Sequence, residues 1–376
     1  MYSYPMGQVI KGRGTAAQPA GRFQRLVVEP IADESPSTRE GAVADDPDLD
    51  RPLPRILTQV QPELARSIIT RNTSPDLPFD QSINPYRGCE HGCIYCFARP
   101  SHAYVGLSPG LDFETRLFYK RDAARLLTAE LTKPGYRCKP IMLGTNTDPY
   151  QPIEREHGVT RSVLQVLWRC RHPVAILTKG AWLERDLELI SSMAKAGLAR
   201  VTLSLPTLDV SLKRILEPRA ASPQARLRLL RQLSAAGIPA GVLVAPIIPA
   251  ITDHELEALL EAASAAGAER AGYVFLRLPH EVAELFQDWL TQHFPDRAAR
   301  VMALVREARG GADNDSRFLS RLSGQGQWVT VLKQRFALAC RRLKLANGRE
   351  IALDCSQFQP QALSGPNGQR QLRLDL

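Results

Sequence analysis

Three cysteines stand within eight residues: Cys89, Cys93 and Cys96, spaced C-x3-C-x2-C inside NPYRGCEHGCIYCFARPSH, residues 84–102. Nothing else in the chain packs soft ligands so densely. Thiolates at this spacing in a tight loop can converge on one metal centre, and soft sulfur donors select zinc, copper(I) or an iron–sulfur cluster. Structural zinc normally closes a four-ligand tetrahedron from two cysteine hooks. Here there is one hook of three and no second pair, so a zinc loop would have to borrow His91 or His102. A [4Fe–4S] cube on three cysteines would keep one iron open to an outside ligand. Tyr95 and Phe97 flank the last cysteine and would lie beside such a centre.

Positioning that loop falls to short apolar runs that alternate with amphipathic helices from Phe79 onward. The sequence predicts strands over Ser82–Tyr86, Pro140–Gly144, Val174–Thr178, Arg200–Leu205, Ala240–Ala245 and Tyr273–Leu278. Between them lie helical patterns over Asp122–Thr132, Val159–Cys170, Leu183–Ala196, Pro223–Ala236 and Asp253–Ala266. Gly197, Gly237 and Gly267 stand where left-handed C-caps are wanted. Recurring strand–helix units imply parallel strands joined by crossovers. Six units fit a partial (β/α)6 barrel. An eight-stranded barrel needs about 250 residues, and a doubly wound sheet needs a glycine-rich phosphate turn that is missing after the first strand.

In a parallel α/β barrel the functional groups gather where strands end and βα loops begin. The cysteines follow the first strand, and Thr145, Asn146, Thr147, Asp148 and the run to Glu154 follow the second. Lys179 ends the third, Ser204 the fourth, Val244–Pro249 the fifth and Arg277 the sixth. Simpler roles stand beside these. Thr145 and Thr147 can cap a turn, Asp148 can open one as Asp-Pro, and Glu154 can pair with Arg155 or Arg161. Glu217 and Arg219 can form a structural pair or grip a ribose, and Cys138, Cys170, Cys340 and Cys355 read as buried or idle thiols.

C-x3-C-x-aromatic-C, taken with GTNTDPYQPIE at 144–154, resembles the cluster loop of the radical S-adenosylmethionine (SAM) enzymes. Within that superfamily it resembles the branch related to spore photoproduct lyase, over about Phe79 to Pro279. The resemblance implies a partial (β/α)6 barrel with a [4Fe–4S] cluster on Cys89, Cys93 and Cys96 and SAM chelating the open iron. It implies that Thr145, Thr147 and Asp148 lie by the SAM amino group, an assignment made by place rather than by motif. Lys179 and Ser204 would meet the carboxylate and ribose, and Ala245 and Ile248 would line the adenine beside the backbone of Tyr95. The implied chemistry is reductive cleavage of SAM to a 5′-deoxyadenosyl radical that abstracts hydrogen from substrate, and the implied partner is an electron donor such as flavodoxin or ferredoxin. Spore photoproduct lyases carry a hydrogen-donating cysteine near the end of strand two. GTNTDP has none, so the resemblance stops short of that step.

The chain of 376 residues carries a net charge of +9, and such an excess attracts nucleic acid or other anions. A basic amphipathic pattern at Trp328–Leu343 points the same way, so a nucleic-acid base is the candidate substrate. The competing class is a zinc-stabilised nucleic-acid-binding protein without catalysis. No window resembles a membrane span, and the N-terminus lacks the apolar core of a signal peptide. Seven cysteines, three of them clustered, argue for a reducing compartment, with cytoplasm expected. The expected organisation is a largely flexible extension over 1–75, a barrel over 76–295, and a helical cap and tail over 296–376. Within the extension the sequence predicts an edge strand at Leu26–Val28 and a short helix at Gln61–Ile69.

Overall fold

The computed structural model describes residues 10–23, 56–348 and 352–363. Its strands are β1 (Gln59–Pro62), β2 (Ile69–Arg71), β3 (Gln81–Ile83), β4 (Tyr86–Arg87), β5 (Arg116–Tyr119), β6 (Ile141–Leu143), β7 (Val174–Thr178), β8 (Ala199–Ser204), β9 (Ala240–Ile247) and β10 (Arg270–Phe275). Seven of them form one sheet in the order β10-β9-β8-β7-β6-β3-β2. From β3 to β10 every pairing is parallel, and only β2 runs antiparallel, along β3. The six parallel strands are the six expected units, each shifted by a few residues at most.

Burial explains why these runs become strands. Val174, Ala175, Ile176 and Thr178 are all buried, so β7 is covered on both faces, as parallel strands between helices must be. The crossovers are helices at Ala123–Leu131, Val159–Arg169, Leu187–Lys195, Pro223–Ala235 and Leu256–Ala265. Gly197, Gly237 and Gly267 take the positive φ expected of C-caps. A helix at Val210–Leu216, outside the predicted pattern, starts on Asp209, whose side chain accepts from the amides of Ser211 and Leu212.

A second sheet, ordered β1-β5-β4, was not visible in the sequence pattern. Its presence corrects the helix expected at Gln61–Ile69. Glu63 donates its amide to the Tyr119 carbonyl at 2.8 Å, and Ile69–Arg71 pairs with Gln81–Ile83, so both ends of that stretch are claimed by strands. The loose extension expected over 1–75 also fails for residues 10–23, which lie across the cysteine loop. Buried Arg13 donates to the Glu114 carbonyl at 2.8 Å and to Ile56 and Thr58, fastening the segment down. The strand expected at Leu26–Val28 lies outside the described residues.

After β10 come helices at Val282–His293, Pro295–Ala308 and Gln327–Arg342. The last is the predicted basic helix. It buries Val329, Leu332 and Phe336, while Arg335 and Arg342 pair with Glu257 and Glu261 on the neighbouring crossover helix. Two of its arginines are thereby neutralised. Ala346 then covers the free edge of β10, accepting from the amide of Ala271 at 2.9 Å. No described helix is long and apolar enough to cross a membrane.

Candidate cluster loop and cofactor site

The cysteine loop is gripped from three sides. From the short helix Asp112–Thr115 that leads into β5, the Phe113 carbonyl takes the Cys89 amide at 2.9 Å. From the loop after β6, Gln151 accepts the Glu90 amide at 2.8 Å and donates to the Gly88 carbonyl at 3.2 Å. From beneath, the fully buried Arg99 donates to the carbonyls of Cys93 at 2.9 Å and Gly110 at 2.9 Å, and pairs with buried Glu114 at 2.5 Å. The segment over residues 10–23 closes the outside: a Cβ on Gly14 would stand 1.9 Å from the Gly92 carbonyl oxygen, so only glycine lets the two backbones pass.

This clamp leaves Cys89 and Cys93 buried and Cys96 half-buried. Burial pushes all three thiols up. Asp148 then adds to the rise at Cys89 and Glu217 at Cys93, whereas Lys179 opposes it at Cys93 and Arg99 at Cys96. The thiols also raise one another, a sign of how closely they are gathered. A bound cation reverses that logic, since a coordinating thiol is deprotonated outright. Among the described residues no three His, Cys, Asp or Glu side chains are placed to share a single ion. A cube makes a different demand, with each thiolate on its own iron, and three soft donors on one buried loop fit it. The two histidines a zinc loop would borrow are neutral inside the protein, burial holding both at about 4. His102 is tied by Nε2 to the Arg116 carbonyl at 2.9 Å.

Beside the loop, the ends of β7 and β8 carry a polar network centred on Glu217. One of its oxygens accepts from Tyr95 and lies 3.1 Å from the Lys179 ammonium, and the other pairs with buried Arg226. Burial alone would raise this carboxyl, but Arg226 and Lys179 overrule it and hold it at about 2. Lys179 also donates to Ser204 at 2.6 Å and lies 5.6 Å from the centre of the Tyr95 ring. Ser204 donates in turn to the Ala245 carbonyl at 3.2 Å. Ile248 is buried in the same apolar cluster as Cys93, Ile94 and Tyr95. Five of the residues singled out in the sequence (Tyr95, Lys179, Ser204, Ala245 and Ile248) therefore meet beside the thiols.

The loop after β6 behaves otherwise. Asp148 accepts from Tyr150 and Thr178 on one oxygen and from the Lys179 amide at 2.7 Å on the other, so it joins this loop to the end of β7. Thr147 is buried and gives its hydroxyl proton to the Tyr86 carbonyl. Thr145, half-buried, exchanges hydrogen bonds with Asn84. Asn84 also accepts the Asn146 amide at 2.9 Å and so fixes the start of this loop. Glu154 pairs with Arg185 at 2.6 Å, not with Arg155 or Arg161, and is fully buried. Glu217 and Arg219 do not pair with each other either: Arg219 reaches Glu90 at 2.7 Å. Sequence reasoning passed over Asn84, Arg99 and Gln151. Their only signal was a polar residue inside an otherwise apolar or cysteine-rich run.

With this geometry in place, comparison with known proteins places the chain. The sequence profile of the radical SAM superfamily matches residues 83–263. An uncharacterised protein of Mycobacterium tuberculosis is 40% identical over 232 residues, covering 61% of this chain and 68% of that one. An uncharacterised protein of Methanocaldococcus jannaschii is 28% identical over 173 residues, covering 46% of this chain and 62% of its own length. Among solved structures, spore photoproduct lyase complexed with dinucleoside spore photoproduct superposes with a TM-score of 0.55 at 12% identity, covering 77% of this chain and 81% of that one. A variant of that lyase with bound AdoMet and the dinucleoside gives 0.55 at 14% identity, over 78% and 82% of the two chains. At such identities the shared property is the fold.

Proposed function

The chain belongs to the radical SAM superfamily, and from that premise we propose that Cys89, Cys93 and Cys96 hold a [4Fe–4S] cluster with SAM on its open iron, in an enzyme that abstracts hydrogen from a nucleic-acid base. The observation that carries this reading is the buried three-thiol loop lying against Lys179, which Ser204 and Glu217 hold in place. A cluster held by Cys89, Cys93 and Cys96 would supply the electron for reductive cleavage of SAM, and with it the means of abstracting hydrogen from substrate.

The residues of the chain do the positioning and the exclusion of water. Lys179 donates to Ser204 and lies 3.1 Å from the Glu217 carboxylate, and a further N–H of its ammonium would meet the SAM carboxylate. Glu217, ionised at any physiological pH, orients Lys179 and the Tyr95 hydroxyl together. The apolar side formed by Tyr95 and Ile248 suits an adenine ring. Support for a nucleic-acid substrate is the net charge of +9. An electron donor such as flavodoxin or ferredoxin and a cytoplasmic location complete the proposal, since a cluster of this kind needs a reducing surrounding.

The test is anaerobic reconstitution with iron and sulfide, followed by dithionite and SAM and an assay of 5′-deoxyadenosine. Wild type is expected to bind about four irons per chain and form the nucleoside, while Cys93→Ala does neither. Protein that takes up a single zinc and no iron would overturn the reading.

A further inference from the structure

The corner between Phe97 and the end of β10 holds three arginines with unequal partners. Arg309 donates to the carbonyls of Ser320 and Arg321 at 2.9 Å each, and to that of Leu276 at 2.5 Å. Arg321 lays both prongs on Asp76 at 2.6 Å. Arg277 has neither kind of partner. Its guanidinium makes no hydrogen bond or ion pair with any described residue, and its Nε is buried. It lies instead over the ring of Phe97, 5.2 Å from the centroid, and Phe97 is 43% exposed although it directly follows Cys96.

A half-buried cation without an acceptor is costly. Burial lowers the pKa of Arg277, Arg321 lowers it further, and Asp76, which pairs with Arg321, acts in the opposite direction. The corner thus carries surplus positive charge and free donors in a planar fork, and that fork matches the oxygens of a phosphate. The adjacent exposed ring offers a flat apolar face. We propose that Arg277 and Phe97 form a substrate subsite in which the guanidinium binds a phosphate ester and the ring packs on the group attached to it. This rests on the reading of the cysteine loop as a substrate-facing cofactor site, and it assigns Arg277 to substrate rather than to SAM.

The test measures binding, so it needs no turnover. Two probes are used at low salt: a fluorescein-labelled single-stranded decanucleotide, and a nucleoside monophosphate as its competitor. Arg277→Gln is expected to weaken the decanucleotide about tenfold, and to reduce the dependence of log affinity on log salt by about one. Arg277→Lys keeps the charge without the fork, so it should recover only part of the affinity and guards against a folding defect in the first variant. Phe97→Leu should weaken binding by a smaller factor. Loss for the decanucleotide alone identifies a strand phosphodiester, and loss for both probes identifies a phosphate ester in general. Unchanged affinity in Arg277→Gln, or wild type that binds neither probe, overturns the proposal. So does a loss of affinity for labelled SAM in the iron-loaded variant, which would move Arg277 to the cofactor. Failure of the cluster reading appears separately, as absent iron in wild type.

Discussion

Six of the seven cysteines fall into two groups of three at opposite ends of the main sheet. Cys89, Cys93 and Cys96 share one loop beyond the C-terminal end of β3. Cys138 and Cys170 precede β6 and β7, and Cys355 comes back from the C-terminal tail to join them: Cys355 raises the pKa of Cys138, after burial, and Cys170 adds to it. Burial raises the thiols in both groups, so burial does not distinguish them. The surrounding charges are mixed in both groups, with Arg169 lowering Cys170 in the second. Lys179, Arg226 and Arg99 press the first group toward thiolate, against Asp148 and Glu217. Near the second, Asp354 presses Cys138 toward thiol, and Cys170 bonds through its sulfur to the Val166 carbonyl at 3.3 Å as a thiol donor. On the proposed reading, what marks the first group as a ligand set is the single loop that carries all three thiols, not proximity alone.

The sharpest way to break this comparison is to remove one thiol from each group. Alanine at Cys89, Cys93 or Cys96 should reduce reconstituted iron from about four per chain to background. Alanine at Cys138 or Cys355 should leave it unchanged. Iron content and the broad visible absorption of the reconstituted protein report both. Iron lost equally from the two groups would erase the distinction.

Next in size is the Glu217 hub. Glu217→Gln removes the charge that Arg226 and Lys179 face while keeping nearly the same volume. Breaking one side of a buried ion pair costs about 3–5 kcal/mol, and the denaturant midpoint at constant slope measures it. The sign with pH is fixed. This carboxyl is held at about 2, below its unfolded value near 4.5, so its contribution is complete above the unfolded value and disappears as pH falls toward 2. The variant should therefore lose less stability than wild type across that window. Equal acid sensitivity would show that the hub does not carry this charge.

These sites differ in how readable they were. The cysteine loop and the six parallel strands were legible because their signals are local: fixed spacing in one case, apolar runs between helices in the other. That Lys179 and Ser204 meet was legible by place, since the ends of parallel strands are where side chains converge. The loop after β6 was less legible in its bonding. Thr147 and Asp148 stand at a strand end, where the Tyr86 carbonyl accepts from one and the Lys179 amide donates to the other, and sequence order cannot show which partner is nearer. Arg226 as partner of Glu217, Gln151 as a clamp, and the segment carrying Arg13 depend on tertiary placement with no periodicity behind it. The polar stretch 59–62 became a strand because β5 offered it a free edge.

A smaller effect sharpens the contrast at the base of the sheet. His172 is buried, its Nδ1 donates to the Pro173 carbonyl at 3.0 Å, and burial holds its pKa at about 4. Between the unfolded value of 6.5 and about 4 the unfolded chain binds a proton that the folded protein refuses. Stability therefore falls as pH falls through that window, by at most about 1.4 kcal/mol per pH unit for this one group. His172→Gln should flatten the slope of unfolding free energy over that range. A slope unchanged by the substitution would assign the pH dependence to His102 and the other end of the molecule.

The smallest expected effect is that of Cys355→Ser. Residues 352–363 are held by bonds that do not involve this sulfur. The Asp354 amide meets the Gly197 carbonyl at 3.2 Å, the Gln359 amide meets the Cys170 carbonyl at 2.8 Å, and the Gln357 side chain meets the Ala196 carbonyl at 2.7 Å. The Phe358 ring packs 5.2 Å from that of His172. With those anchors intact, replacing a half-exposed thiol by a hydroxyl should cost less than about 1 kcal/mol, with iron content unchanged. A loss of several kcal/mol with iron retained would make the second group a structural fastening of the tail. A loss of iron would mean that the two ends of the sheet are coupled, and that the shared loop is not what separates them.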